Sequence, residues 1–172
     1  MEEQVSENHL IQQRIEKLKA IKDMGINPYP YNFDHKDHSV DLIKKYSYLE
    51  KGQETTDTAS IAGRVVAIRN MGKIAFMHVL DRYGKIQSFV SMDACADFEL
   101  FKKLDIGDIV GITGNVFCTK SGEVTVKAKN ITILTKTLRP LPEKFHGLKD
   151  PELRYRMRYV DLIVNPETRE IF

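Results

Sequence analysis

Several features that define whole classes of proteins are scarce or absent in this sequence. The two cysteines, Cys95 and Cys118, lie far apart and outside any Cys-x-x-Cys pair, which excludes a zinc knuckle and predicts free thiols in a reducing compartment. No apolar run approaches the ~18 residues that a membrane span needs, and the N-terminus lacks the basic and apolar regions of a secretory signal. We therefore expect a cytoplasmic protein that does not contact a membrane.

Motifs of catalysis are also missing. The sequence contains no Gly-x-x-x-x-Gly-Lys phosphate loop, no Gly-x-Ser-x-Gly turn and no recognisable pair of acid–base carboxylates. His35 and His38 resemble a metal-binding pair, but they lie in a polar loop without a third ligand nearby, so we predict a structural or solvent-facing role. The chain by itself is expected to catalyse no reaction and to hold no metal or cofactor.

Charge is small in total but uneven along the chain. The net charge of +2 divides into −3 over residues 1–58, +3 over 59–134, +4 over 136–159 and −2 over 160–172. The middle of the chain and the segment after it are therefore mildly basic. This distribution permits a polyanionic partner, and it is equally compatible with an ordinary solvated surface of mixed charge.

The first 58 residues have the pattern of a helical arm followed by a linker. Apolar residues recur every three or four positions over residues 9–24, which predicts an amphipathic helix whose remaining surface is basic. Solubility and phosphate contact both account for that basic face. Ser39 is predicted to be the N-cap of a short helix over 40–49, and the polar run 50–58 is predicted to be a linker.

From Ala59 onward the hydrophobic pattern becomes that of β-strands. It predicts a short helix over residues 97–104 between the third and fourth of five strands, which cover residues 60–69, 73–80, 85–91, 108–119 and 123–134. Three strands, a helix and two strands are the order of a five-stranded OB-fold Greek-key barrel, and an SH3-like barrel is the competing fold. Glycines at 63, 107, 111 and 114 suit strongly bent strands.

The second and third predicted strands alternate between two faces. One face contains Ala75, Met77, Val79, Ile86 and Val90. If that face is the core, the opposite face exposes Phe76, His78, Lys85, Gln87 and Phe89. This is a mixture of aromatic, amide and cationic groups on which single-stranded bases could stack. Alternation alone leaves the opposite register, with Phe76 in the core, equally open.

After the barrel, the chain has the signals of a linker and further helices. Arg139-Pro140-Leu141-Pro142 predicts a stiff linker, and Asp150-Pro151-Glu152 predicts the start of a helix that runs to about Val164. Asn165-Pro166-Glu167 repeats this helix start five residues before the end, so we expect a longer protein with another domain to follow. The predicted organisation is an arm over 1–58, a barrel over 59–135, and a linker with the start of a catalytic domain over 136–172.

Five stretches of the sequence resemble one family of enzymes. The barrel resembles the anticodon-binding domain of class IIb tRNA synthetases, and the segments after it are similar to the lysyl-tRNA synthetases in particular. The barrel stretches are Ala62–Arg64, Met71–Phe76 and Gly84–Gln87. The later stretches are Thr135–Leu148 and Arg154–Leu162, of which the second has a basic and aromatic face that would contact RNA, the catalytic domain or a second subunit.

The resemblance implies four residues that bind the anticodon. Phe76 corresponds to the aromatic residue that stacks on the central base, Gln87 and Arg69 to its polar partners, and Glu123 to a residue that reads an adjacent uridine. Lysine anticodons are rich in U, whose edge presents an acceptor beside a donor, and a glutamine amide complements both. His78, Lys85 and Phe89 are expected as secondary RNA contacts.

The resemblance also implies the activity of the parent enzyme. That enzyme would ligate lysine to tRNA(Lys) with ATP and Mg²⁺ at an active site that lies outside this chain, and it would be a homodimer. Two alternatives are an aspartyl- or asparaginyl-tRNA synthetase, whose barrels also read a central U, and a free-standing single-strand-binding OB protein. The stretch 135–148 favours the lysyl enzyme over the first alternative.

Overall fold

The computed structural model describes residues 2–142, 148 and 150–171, with side chains from residue 7 onward. The chain divides into two compact units, Met1–Leu138 and Arg139–Phe172, which are described separately below. Residues 143–147, which belong to the stretch 135–148 that resembles lysyl-tRNA synthetases, lie outside the described residues.

The first unit is built around a closed five-stranded barrel. Its strands are β1 (Glu54–Asn70), β2 (Ile74–Leu80), β3 (Lys85–Ser91), β4 (Ile109–Cys118) and β5 (Val124–Thr135). They are ordered β1-β2-β3-β5-β4, and β1 also pairs with β4, which closes the ring. The pairing of β3 with β5 is parallel, and the other pairings are antiparallel. This topology confirms the predicted OB-fold, with the short helix α3 (Phe98–Phe101) between β3 and β4.

The barrel interior is filled by one face of each strand. In β2 the side chains of Ala75, Met77 and Val79 are buried, whereas Phe76 and His78 between them are partly exposed. Of the two registers that alternation left open, β2 and β3 therefore have the one with Phe76 on the outer face, because alternate residues of a strand point to opposite faces. Each large apolar side chain that is fully buried in this way stabilises the fold by roughly 1.5–3 kcal/mol.

Glycine is required where two strands approach most closely. A Cβ atom at Gly114 would lie 1.9 Å from the carbonyl oxygen of Lys127 on β5, and one at Gly63 would lie 2.5 Å from that of Leu80 on β2. Both contacts are with backbone, which cannot move aside without disturbing the sheet. The glycines therefore allow the tight coiling that a small barrel needs.

The first strand is longer than the sequence predicts. The polar run 50–58 is predicted to be a linker, whereas β1 begins at Glu54. Glu54 pairs with Phe117 and Thr58 pairs with Asn115, both on β4. This extension depends on backbone pairing with a strand far away in the sequence, and its polar side chains give no alternating pattern that would reveal it.

The N-terminal helix α1 (Glu2–Asp23) begins earlier than predicted and packs against the barrel. Its Ile21 is completely buried. Lys17 on its basic face lies 2.5 Å from Asp105, which also accepts a hydrogen bond of 2.6 Å from the buried ammonium group of Lys136. Part of the basic face of α1 therefore stabilises the fold through internal ion pairs.

The predicted N-cap of the second helix is wrong. Helix α2 (Ser39–Lys45) is preceded by His38 at its N-cap position. The Ser39 hydroxyl and backbone N–H instead donate to Asp81, at 2.8 and 2.6 Å, and so attach α2 to the turn between β2 and β3. Burial opposes the ionisation of Asp81, but hydrogen bonds from Ser39 and Gly84 outweigh it and lower the pKa of this carboxyl group.

The second unit contains three short helices. They are α4 (Pro151–Arg156), α5 (Arg158–Val164) and α6 (Pro166–Ile171). The predicted cap is confirmed, because the Asp150 carboxylate accepts a 2.8 Å hydrogen bond from the Glu152 backbone. The single helix predicted to run to Val164 is instead interrupted at Met157, whose φ and ψ of −113° and 49° are not helical.

Candidate nucleic-acid interface

A cleft of about 960 Å³ opens on the outer face of β2 and β3. Its walls also include the end of β1, the end of β4, the turn between β4 and β5, and the start of β5. The four residues predicted to bind an anticodon, Arg69, Phe76, Gln87 and Glu123, all line this cleft. Residues from four separate parts of the chain are thus brought together on one surface.

Aromatic rings form a continuous row along the cleft. Phe76 and Phe89 are paired across β2 and β3, and their ring centroids are 5.2 Å apart. Phe89 contacts Phe117 of β4 edge to face, at 6.0 Å between centroids. Sequence analysis missed Phe117, although its position between the buried Val116 and Cys118 marks it as outward-facing. All three rings are partly exposed and can offer a stacking surface.

The polar side of the cleft consists of three side chains linked by hydrogen bonds, with Glu123 between Gln87 and His78. The Gln87 amide donates to Oε2 of Glu123, and the ring Nε2 of His78 lies 3.4 Å from Oε1 of the same carboxylate. Gln87 is buried, whereas the side chain of Glu123 is about half exposed. Sequence analysis assigned Gln87 and Glu123 to separate bases. Their contact could not be predicted from local sequence, because it depends on the parallel pairing of β3 with β5.

Cations stand at the edges of the cleft. Arg69 lies at the exposed end of β1, directly across the strand pair from Phe76. Lys120 is exposed on the turn before β5, and Lys127 forms a 3.0 Å ion pair with Glu54. An ion pair this exposed stabilises the fold by only ~0–1 kcal/mol, so it is readily exchanged for another anion.

Of the residues predicted as secondary RNA contacts, two line the cleft and one does not. His78 and Phe89 belong to its walls. Lys85 lies outside it and lines a smaller pocket of about 300 Å³, beside Tyr46 and residues that follow α2. Lys85 is therefore separated from the aromatic row, although it alternates in phase with Gln87 on β3.

The histidine pair and the cysteines have surroundings that suit structural roles. The rings of His35 and His38 are 5.8 Å apart, and His38 also packs against Tyr83 at 4.6 Å. Within residues 2–142, 148 and 150–171, no group of three or more His, Cys, Asp or Glu side chains is arranged to hold a metal ion. Both Cys95 and Cys118 are buried free thiols, and burial raises the pKa of the Cys95 thiol. Of the helices that the structure describes, none combines the length and hydrophobicity needed to cross a lipid bilayer.

Known proteins similar to this chain share the barrel and its flanking segments. Residues 59–134 match the tRNA_anti-codon family, described as an OB-fold nucleic acid binding domain. The chain is 47% identical to a lysine–tRNA ligase of Oceanobacillus iheyensis, with 100% of this chain and 35% of that protein aligned. It is 48% identical to a lysine–tRNA ligase of Carboxydothermus hydrogenoformans, over 96% of this chain and 33% of that protein. A lysine–tRNA ligase of Fervidobacterium nodosum is 43% identical over 92% of this chain. The chain thus spans about a third of the length of these curated relatives.

Proposed function

Because residues 59–134 belong to the family of OB-fold nucleic acid binding domains and the whole chain is homologous to part of lysine–tRNA ligases, we propose that the barrel recognises the anticodon loop of tRNA(Lys). The observation that carries this proposal is the cleft in which Phe76 and Gln87 lie beside Arg69. A ring to stack on, an amide to read a base edge and a cation are the groups that bind single-stranded RNA.

The Gln87 amide has the chemistry to recognise uracil. The amide group has two N–H donors and one carbonyl acceptor, and one of its donors is used by Glu123. One donor and one acceptor are left for a base. The uracil edge presents the acceptor O4 beside the donor N3–H, so it complements both remaining groups. Arg69 adds donors that suit the uracil oxygens or a phosphate.

For the whole protein we propose the activity after which its relatives are named, the ligation of lysine to tRNA(Lys). ATP would supply the energy of this ligation with Mg²⁺ bound to its phosphates, and we propose a cytoplasmic homodimer, as the resemblance implies. The described residues do not fit ATP or Mg²⁺, because they contain neither a phosphate loop nor a cluster of acidic ligands. The role proposed for this chain is therefore recognition, and we expect it to show no lysine-dependent ATP–pyrophosphate exchange.

Binding to a series of short RNAs tests this function. Fluorescence anisotropy would measure the affinity of the 172-residue chain for four RNAs. These RNAs share one stem and differ only in the anticodon, which is that of lysine, asparagine or aspartate, or is all adenine. We expect the lysine stem-loop to bind most tightly and the all-adenine one most weakly. Equal affinity for all four RNAs would favour a general single-strand-binding protein. Tightest binding of the asparagine or aspartate stem-loop would favour a synthetase for that amino acid.

A further inference from the structure

We propose that Glu123 and His78 are positioning residues that fix the direction of the Gln87 amide, and that this direction sets the preference of the cleft for uracil over cytosine. The inference rests on the proposed function and names the origin of its base specificity. It assigns Glu123 a role that acts through Gln87, rather than through its own contact with a uridine.

The Glu123 carboxylate permits one of the two orientations of the Gln87 amide. An ionised carboxylate only accepts hydrogen bonds, so it can face the NH₂ end of the amide and not its carbonyl end. The Gln87 amide does donate to Oε2 of Glu123. A rotation of the amide by half a turn would set its carbonyl oxygen against the negative charge, with an unpaired acceptor in a largely buried position.

The orientation of the amide decides which pyrimidine fits. Uracil presents an acceptor at O4 and a donor at N3, whereas cytosine presents a donor at N4 and an acceptor at N3. The two edges are therefore inverse, and an amide that matches one of them matches the other only after it has rotated. By holding the Gln87 amide in one orientation, Glu123 would exclude the rotated form that cytosine requires.

The position of Glu123 is itself fixed at both ends of the residue. Its backbone is held in the tight turn before β5, where its N–H donates to the Thr119 hydroxyl and its C=O accepts from the Thr119 N–H, both at 3.0 Å. At the other end, His78 lies opposite Gln87 across β2 and β3 and approaches the second carboxylate oxygen at 3.4 Å. His78 therefore restrains the carboxylate from swinging into solvent.

A double-mutant cycle separates this role from direct reading of a base by Glu123. The RNAs are stem-loops with U or C at each anticodon position, and the proteins are wild type, Glu123→Gln, Gln87→Ala and the double variant. Glu123→Gln presents both a donor and an acceptor, so it pairs with either orientation of the Gln87 amide. We expect it to lower the U-over-C affinity ratio about tenfold, at the same anticodon position that Gln87→Ala affects. The double variant should have the ratio of Gln87→Ala alone.

Two further comparisons keep the test specific. Glu54→Gln removes the same charge from the same cleft, where Glu54 pairs with Lys127 rather than Gln87, and it should alter overall affinity without altering the ratio. His78→Gln keeps an N–H donor near Glu123 and should retain the wild-type ratio, whereas His78→Phe lacks the donor and should lower the ratio. The His78 pair also tests the proposal if Glu123→Gln proves unstable in a thermal melt.

The outcomes distinguish this inference from the proposed function. A wild-type chain without any U-over-C preference would refute anticodon reading itself. If the wild type has the preference, two results would refute the positioning role alone. One is additive effects of Glu123→Gln and Gln87→Ala at different anticodon positions, as direct reading requires. The other is equal ratios for His78→Phe and His78→Gln.

Discussion

Removal of the Phe76 ring tests whether the outward face of β2 stacks on an RNA base. Phe76→Ala deletes one of the three rings of the aromatic row in the cleft, the ring that packs against Phe89. Stacking of a base on an aromatic side chain contributes about 1–3 kcal/mol, which corresponds to an increase of roughly 5- to 140-fold in the dissociation constant at 25 °C. We expect a loss of affinity in this range for the lysine anticodon stem-loop, and near wild-type binding by Phe76→Tyr.

The same strand supplies the matched control for stability. Met77 follows Phe76 but points inward and is completely buried, so Met77→Ala should lower the free energy of unfolding by about 2–5 kcal/mol. Phe76→Ala loses mainly its contact with Phe89, which is worth ~0.5–1.5 kcal/mol beyond the area buried. Phe76→Ala should therefore mainly weaken RNA binding, whereas Met77→Ala should mainly weaken the fold.

Two measurements on the same samples decide the question. Anisotropy gives the affinity for RNA, and urea unfolding gives the stability. If folded Phe76→Ala binds as tightly as wild type, the ring does not stack on a base. If it loses as much stability as Met77→Ala, the Phe76 ring contributes mainly to the core rather than to RNA binding.

Other regions of the barrel give three further predictions. Gly114→Ala should lower the free energy of unfolding in urea by about 1–3 kcal/mol or more, because its Cβ would collide with the Lys127 carbonyl, and wild-type stability would contradict the close strand approach. Burial opposes ionisation of Asp105, but hydrogen bonds, the largest from Lys136, outweigh it and lower its pKa below the usual 3.8. The stabilisation by the ionised Asp105 carboxylate is thus present above pH 3.8 and lost below it. The difference in unfolding free energy between wild type and Asp105→Asn should therefore shrink as the pH falls from about 6 to about 2. A difference that stays constant with pH would refute this. Lys120→Ala should weaken binding of every stem-loop similarly and reduce the slope of log affinity against log salt by roughly 0.7, and an unchanged slope would exclude a phosphate contact.

Local patterns in the sequence were sufficient for the features that depend on neighbouring residues. Alternation along β2 and β3 predicted two faces but left open which of them is the core, and the structure places Met77 in the core and Phe76 outside. The helix start at Asp150 was predictable because a cap depends on three successive residues. The resemblance then indicated which outward-facing residues would contact RNA.

Features that depend on distant residues were not predictable in this way. Ser39 has the chemistry of an N-cap, but its hydroxyl finds a stronger partner in Asp81, which the turn between β2 and β3 brings close. The pairing of Gln87 with Glu123 depends likewise on where β5 joins β3. Each residue alone is consistent with direct contact to a base, so only the tertiary structure reveals that they contact each other.

The parallel pairing of β3 with β5 has a consequence for how the protein matures. The paired residues are Gln87 with Thr125, Ser88 with Val126, and Phe89 with Lys127, so this strand contact lies directly beneath the cleft. Pairings between strands far apart in sequence form slowly, because a long loop must close first. A newly synthesised chain that has formed only β1, β2 and β3 already carries Phe76 but lacks the partner of Gln87. Under the proposed function, discrimination between bases would therefore begin only when β5 has paired with β3, and selective RNA binding would report that the domain has finished folding.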